Sequence, residues 1–368
     1  MKVLVAPLDW GLGHATRCIP VIREFLRQGA EVELAVVKSN AKLLRGIFPE
    51  LRQRLAPSYN IVYPKHGYNM GLWLAKNGAH LNSVIRFEHR YVEEMVERHH
   101  YDVILSDNRF GFYSRKAKSI YMTHQRRIAF PPALSALESV GMMWHASVMR
   151  HFDEVWVPDI PEEPGYAGNM SHVKYCPRSV RYVGALSRFE NAPSENEGGT
   201  LLESIPLENP QYKFVAVVSG VEPARSRFEK KLAEAFAGIP GRHLIIQGRP
   251  AAGIKMWTEG NVDFCTHLQD TAFSAAVRGA EHVVSRGGYS TVMDMAVLGA
   301  SCIFVPTPGQ YEQVILGRNL ARAGFAYNID EKDLSAGSLL RCSGSMKLPQ
   351  VAKNDLLQKA VSEVLKIK

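Results

Sequence analysis

A chain of 368 residues exceeds what one hydrophobic core usually supports, so two domains are expected. Hydrophobic residues at 46% and charged residues at 22% exclude a disordered or fibrous chain. The formal charge of +8 suits phosphate-bearing ligands or an anionic membrane face, though a solvated basic surface is the preferred reading; no nucleic-acid partner is expected, because no long Lys/Arg run, zinc finger or RNA-binding pattern occurs.

The five cysteines, Cys18, Cys176, Cys265, Cys302 and Cys342, are scattered without a CxxC pair, which reads as reduced thiols in the cytoplasm. The opening MKVLVAPLDWG is a first strand rather than a signal peptide. No apolar run reaches the roughly 18 residues that a membrane span needs.

In chain order, a strand is predicted at Val3–Ala6, then a Gly-rich loop, a helix with Ile19, Ile22, Phe25 and Leu26 on one face, and a strand at Val32–Val37. A short strand near Ile61–Tyr63 and a long helix to about His100 follow. Strands at Val103–Ser106 and Ser119–Met122, a helix from Ala133 to Arg150 and a strand at Glu154–Val157 complete the first half. After a Pro/Gly/Asn/Glu-rich stretch with a strand near Arg181–Val183, the grammar restarts. Its strands are Phe214–Ser219, His243–Gln247, Val262–Cys265, His282–Ser285 and Cys302–Pro306; its helices are Ser226–Ala237, Thr271–Arg278, Tyr289–Leu298 and Glu312–Ala323. A last helix covers about Gln350–Lys366. Alternating apolar strands and helices predict an α/β protein of two Rossmann-like, doubly wound parallel-sheet domains facing across a cleft. The expected divisions are 1–184, a linker at 185–200, a second domain at 201–349, and a helix at 350–368 packing back toward the first domain.

The most informative segment runs from Ser285 to Ala326. A strand opens into Arg286-Gly287-Gly288, whose glycines let backbone approach a ligand. Tyr289, Ser290 and Thr291 begin a helix whose N-terminal N–H groups favour phosphate, with the two hydroxyls as caps and Arg286 as a fixed charge beside them. Asp294, a turn later, is placed to accept ribose hydroxyls. A rigid loop then presents Gln310, Glu312 and Gln313 to sugar hydroxyls or phosphate oxygens. Any one of these residues alone is more often a surface turn or a helix cap.

As an ordered set, this segment resembles the nucleotide-sugar site of GT-B glycosyltransferases, nearest to family 28, which includes the lipid I N-acetylglucosaminyltransferase of peptidoglycan synthesis. The resemblance matches Arg286-Gly287-Gly288, Asp294 and Glu312-Gln313 to that family's Arg-Ser-Gly stretch, following acid and paired Gln. This chain carries Asp where the acid is usually Glu, and Glu312 where the pair is Gln-Gln. Phe264 to Leu268, with His267 and Leu268 at its end, matches the strand and loop whose backbone reads the nucleobase. The resemblance implies an inverting transfer from a uridine diphosphate sugar, with UDP-N-acetylglucosamine the foremost candidate. The acceptor stays open, a glycan or a lipid-linked sugar being the candidates, in a cell-envelope glycan setting.

Gly11-Leu12-Gly13-His14-Ala15-Thr16-Arg17 follows the first strand. A dinucleotide fingerprint would need a third glycine at position 16 and an acid ending the second strand; Thr16 and Val37-Lys38 stand there instead, so no nicotinamide cofactor is expected. The loop resembles the family's Gly-Gly-His-type loop beside the donor phosphates and the acceptor. His14 is a candidate general base, or alternatively a loop-orienting residue. Asp107, in Leu105-Ser106-Asp107-Asn108-Arg109, is the second candidate base. Ser219 and Gly220, with Arg225 opening a helix, form a further phosphate nest. Thr123-His124-Gln125-Arg126-Arg127 reads as an anionic-acceptor site or as a polar loop with solvated arginines.

No Gly-x-Ser-x-Gly elbow, P-loop lysine motif, Asp-x-Asp pair or HExxH occurs, so a transfer without protein-bound metal or cofactor is expected. The stretch Tyr68–Arg90 invites a bilayer at the inner face of the membrane, but a buried helix face is the preferred reading. A UDP-sugar 2-epimerase on the same architecture and a non-catalytic sugar-nucleotide-binding protein remain alternatives.

Overall fold

The computed structural model describes residues 1–59, 70–130, 132–190, 212–249, 252–350 and 355–366. The chain divides into two compact units, Met1–Arg188 with Ala352–Lys368, and Phe189–Val351.

The first unit begins with β1 (Lys2–Pro7), α1 (Leu12–Arg27), β2 (Glu31–Val36), α2 (Lys38–Ile47) and β3 (Gln53–Leu55). It continues with α3 (Met70–His99), β4 (Val103–Asp107), β5 (Lys118–Met122), α4 (Glu138–Met149), β6 (Glu154–Val157) and β7 (Ser179–Tyr182). The seven strands are parallel in the order β3-β2-β1-β4-β5-β6-β7. Leu4, Ala6, Ala35, Ile104 and Phe112 pack with Val92 and Val96 of α3 on one side. Such strands, buried on both faces, carry near-continuous apolar runs, which is why they were legible. The stretch 133–137, expected to be helical, is a tighter 3-10 turn behind the prolines at 131 and 132. The strand expected at 61–63 lies outside the described residues.

The second unit holds β8 (Phe214–Val217), α5 (Ala224–Ala237), β9 (His243–Ile246), β10 (Met256–Glu259), β11 (Val262–Cys265) and α6 (Asp270–Gly279). It goes on with β12 (His282–Ser285), α7 (Tyr289–Leu298), β13 (Cys302–Phe304), α8 (Tyr311–Arg322), β14 (Tyr327–Asn328) and α9 (Ala336–Leu340). Its order is β10-β11-β9-β8-β12-β13-β14, and β10 is an antiparallel edge strand on an otherwise parallel sheet. The sequence did not announce β10, since Trp257, Thr258 and Glu259 are exposed and show no buried stripe.

The final helix α10 (Asp355–Lys366) belongs to the first unit. Its Leu357, Ala360, Val361 and Val364 are buried, and its Glu363 pairs with Arg181 of β7 at 2.7 Å. Ala185, Leu186 and Ser187 are also buried, so packing of the first unit continues past Gly184.

In each sheet the strand order reverses at one place: between β1 and β4 in the first, between β8 and β12 in the second. Ligands of doubly wound sheets bind beyond the carboxyl ends of the strands at that reversal. Pro7 stands in register with Asp107, and Val217 with Ser285. The loops 8–11, 108–110, 218–223 and 286–288 therefore occupy the two reversal points.

Candidate functional site

In the first unit, Gly11 is the N-cap of α1 with φ 98°, a backbone conformation that glycine adopts without strain. Gly13 lies in the first turn, and Thr16 donates to its carbonyl at 3.1 Å. His14 and Arg17, three residues apart, lie on one face of α1. Both reach Asp107 at the end of β4. His14 Nδ1 lies 3.0 Å from Asp107 Oδ2, and Arg17 Nε donates to Oδ1 and Oδ2 at 2.9 and 3.0 Å. Arg17 Nη2 also bonds Asp107 Oδ1 and lies 2.8 Å from His14 Nδ1. Its Nη1 faces His124 Nδ1 at 3.3 Å.

The side chain of His14 is 15% exposed, whereas Asp107 is fully buried. Burial pushes the Asp107 carboxyl up, but Arg17 and His14 outweigh it and hold the group below the usual carboxylate range. Burial, then the Arg17 charge, holds His14 below its ordinary 6.5 against the opposing pull of Asp107. The loop after Asp107 is itself pinned. Arg109 and Glu88 of α3 form a fully buried ion pair at 2.7 Å, and Glu88 accepts from the Gly111 N–H at 3.1 Å. A side chain at Gly111 would collide with the Ile85 carbonyl, so only glycine lets α3 come this close.

Three expectations for the first unit change. Asp107, expected as a second candidate base, is fully buried and engaged by Arg17 and His14. Of the two arginines after β5, Arg126 is buried and donates to the carbonyls of Ser171 and Val173 at 3.0 and 2.7 Å, while the side chain of Arg127 is 36% exposed and pairs with Glu138. In the stretch 68–90, Leu81 and Glu88 are buried but Phe87 is 55% exposed; the side chains at 72–74 lie outside the described residues. The motif gives Arg17 no role by itself, although the His-x-x-Arg spacing on a helix places both side chains on one face.

In the second unit, Gly288 is the N-cap of α7, so Ser290 and Thr291 lie within the first turn and do not cap it. Gly287 is buried and Gly288 partly so, with Tyr289 buried beneath them. Neither glycine has a positive φ, and a Cβ at Gly287 or Gly288 would find its nearest neighbour at 3.6 or 3.9 Å, an ordinary contact. The protein's own packing does not demand glycine there. Asp294 is half-buried one turn on. Ser219 and Gly220 are exposed, with Gly220 at φ 110°. His267 is half-buried and accepts the Cys265 thiol at its carbonyl, and Leu268 is buried.

The two arginines expected to face phosphate are engaged by the fold. Arg286 is 3% exposed, pairs with Glu331 at 2.6 Å, donates to the Val305 and Pro306 carbonyls at 3.1 and 3.3 Å, and lies 3.8 Å over the Phe228 ring. Arg225 pairs with Glu222 and Glu229, each at 2.8 Å, and donates to the Gln247 carbonyl at 3.1 Å. Neighbouring acids thus neutralise both cations. Gln313 accepts from the Thr307 N–H at 2.9 Å and donates to Gln310, the N-cap of α8, so it braces its loop; Glu312 is half-buried beside it. Glu331, far along the sequence and in an unremarkable acidic stretch, gave no signal of its partnership with Arg286. Among the described residues, no cluster of three His, Cys, Asp or Glu side chains is gathered for a metal, and no helix is long and apolar enough to cross a membrane.

Comparison with known proteins bears on the fold and on the second unit. Residues 260–356 match the glycosyltransferase family 28 C-terminal domain. An uncharacterized glycosyltransferase of Methanosarcina acetivorans is 24% identical over 339 residues, spanning 88% of this chain and 82% of the relative. A UDP-N-acetylglucosamine–N-acetylmuramyl-(pentapeptide) pyrophosphoryl-undecaprenol N-acetylglucosamine transferase of an Acidovorax species is 35% identical over 95 residues, a quarter of this chain (25%) and 22% of the relative. Among solved structures, MurG of Acinetobacter baumannii superposes with a TM-score of 0.59 at 14% identity, covering 100% of both chains. The calicheamicin glycosyltransferase CalG4 gives 0.61 at 15% identity, covering 99% of this chain and 94% of its own. Fold and matched domain together define the class: the protein is a glycosyltransferase of the GT-B fold. Its second unit carries the family 28 C-terminal domain, which spans β11 through α9.

Proposed function

We propose that the protein transfers a sugar from a nucleotide diphosphate donor, a uridine diphosphate sugar, to a hydroxyl acceptor, with inversion and without metal. The observation that carries the reading is the His14–Asp107 pair at the reversal point of the first sheet, in a chain whose second unit is of the family 28 type. Asp107 accepts from His14 Nδ1–H, which leaves the Nε2 lone pair to take the proton of the attacking hydroxyl. Because His14 is held below 6.5, the imidazole is neutral and competent as a base through neutral pH, and activity falls only as pH drops through that lowered value.

For the donor, the reading relies on backbone rather than on cationic side chains. The first-turn N–H groups of α7, the Ser219-Gly220 loop and the His267-Leu268 backbone meet diphosphate and base, with Asp294 on the ribose and Gln310 and Glu312 on the sugar. Calorimetric titration with UDP, GDP, dTDP and UDP-N-acetylglucosamine in EDTA, followed by product analysis with soluble and lipid-linked glycans, tests this. Metal-free uridine-selective binding and acceptor-dependent, inverted product are expected. Epimerised donor without acceptor, or binding without turnover on any acceptor, would overturn it. The same reading places the protein in the cytoplasm with peripheral membrane contact, supported by the exposed Phe87, Val140 and Met143. Co-sedimentation with anionic vesicles checks it, and a protein that stays in the supernatant at low salt removes it.

A further inference from the structure

A buried carboxylate beside a histidine ordinarily charges the histidine, since the ion pair is the favourable form. A histidine held permanently as imidazolium cannot take a proton. Asp107 is fully buried and sits 3.0 Å from His14 Nδ1, so this outcome threatens the base assigned above. Arg17 stands between the two.

Its guanidinium is 2% exposed, and all three nitrogens are used: Nε spans both Asp107 oxygens, Nη2 reaches Oδ1 and His14, and Nη1 reaches His124. A carboxylate only accepts hydrogen bonds and a guanidinium only donates them. His14 Nδ1 can therefore bond to Asp107 only when it carries a proton, and to Arg17 only when it does not. The neutral imidazole has a partner in either tautomer. The imidazolium, with a proton on both nitrogens, gains Asp107 but meets the Arg17 charge at 2.8 Å.

We infer that Arg17 is a positioning residue that keeps His14 neutral by occupying Asp107 and standing against the charged imidazole, the base-competent tautomer being the one whose Nδ1–H donates to Asp107. The inference rests on the reading of His14 as the base. The groups that face His14 come from three elements: Arg17 and Cys18 on α1, Asp107 on β4, and His124 in the loop after β5. Cys18 Sγ approaches Asp107 Oδ2 at 3.7 Å, and its thiol is pushed up by burial, so it contributes no charge near neutral pH. Among the described residues, Asp107 is the facing group that favours the imidazolium, and burial first, then the Arg17 charge, offset it. After the base accepts a proton on Nε2, Nδ1–H still donates to Asp107, so the charge created in the step is held while it lasts.

The test uses the full chain labelled with 15N-histidine, with the His14 signals assigned from a His14→Gln spectrum. In wild type, His14 should titrate below 6.5. In Arg17→Gln its titration should move up by about one pH unit or more, and the acidic limb of kcat/KM should move with it. A folded Arg17→Gln whose His14 titration is unchanged overturns the inference. Should the unpaired Asp107 keep Arg17→Gln from folding, the Asp107→Asn background removes that buried charge. There, adding Arg17→Gln should still raise the His14 titration, and no rise overturns the inference. Turnover is not needed for this readout: absent transfer on every acceptor would sink the proposed function while the titration still judged Arg17.

Discussion

The two reversal points are built from similar parts and use them oppositely. Each places a buried arginine beside a carboxylate at the carboxyl end of a central strand: Arg17 with Asp107 in the first unit, Arg286 with Glu331 in the second. In the first, the pair also holds a histidine through its Nδ1. In the second, the arginine spends its donors on Glu331 and the carbonyls of Val305, Pro306 and Ala224, bracing the loops around Gly287-Gly288. A buried, ion-paired arginine therefore says little about which ligand a site takes. What separates the sites is the third partner, an imidazole in one and backbone carbonyls in the other. The proposed function accordingly gives side-chain acid–base chemistry to the first unit and anion binding by main-chain N–H groups to the second.

That contrast can be broken most directly by removing its working group on each side. His14→Ala should lower kcat by roughly 10²–10⁴-fold while leaving UDP-sugar affinity within about twofold. Calorimetry alongside kinetics checks it, and a comparable loss of donor affinity would merge the two roles. Arg286→Ala should act through the fold, destabilising by on the order of 3 kcal/mol because Glu331 is left unpaired in a largely buried place. Thermal and urea melts read this. An unchanged melt with donor affinity lost would return Arg286 to the phosphate. Gly288→Ala sharpens the other half: stability should hold within about 0.5 kcal/mol, since a Cβ there meets nothing closer than 3.9 Å. Donor affinity should fall roughly tenfold, by 1.4 kcal/mol or so, if backbone approaches the ligand at that point. Affinity equal to wild type would remove Gly288 from the site.

The smallest effect concerns the scaffold. Glu33 of β2 accepts from Arg54 at 2.7 Å and from Tyr101 at 2.6 Å, and lies 3.1 Å from Lys2. Burial raises its carboxyl, but these partners outweigh burial and bring it to about 2. A carboxyl lowered on folding stabilises above its unfolded value of 4.5, and that contribution disappears as pH falls through about 2. The stability deficit of Glu33→Gln should accordingly be greatest at neutral pH and shrink between pH 4.5 and 2. A gap that stays constant across that window would mean the glutamate acts by shape alone.

The amino-acid sequence by itself determined the alternation of strands and helices and the loops where ligands would meet them. Apolar runs buried on both faces and glycines at strand ends are local signals, set by neighbours a few residues away. β3, β10 and β14 escaped notice because a short edge strand is defined by its partner rather than by its own pattern. The roles of the charged residues were settled only in three dimensions. Arg225, Arg286 and Asp107 all read as open to ligand, and each is enclosed by groups distant along the chain: Gln247 for Arg225, Glu331 for Arg286, Arg17 for Asp107. Whether a charge is offered to a ligand or consumed by the fold depends on burial and on the nearest opposite charge, and the sheet topology decides both.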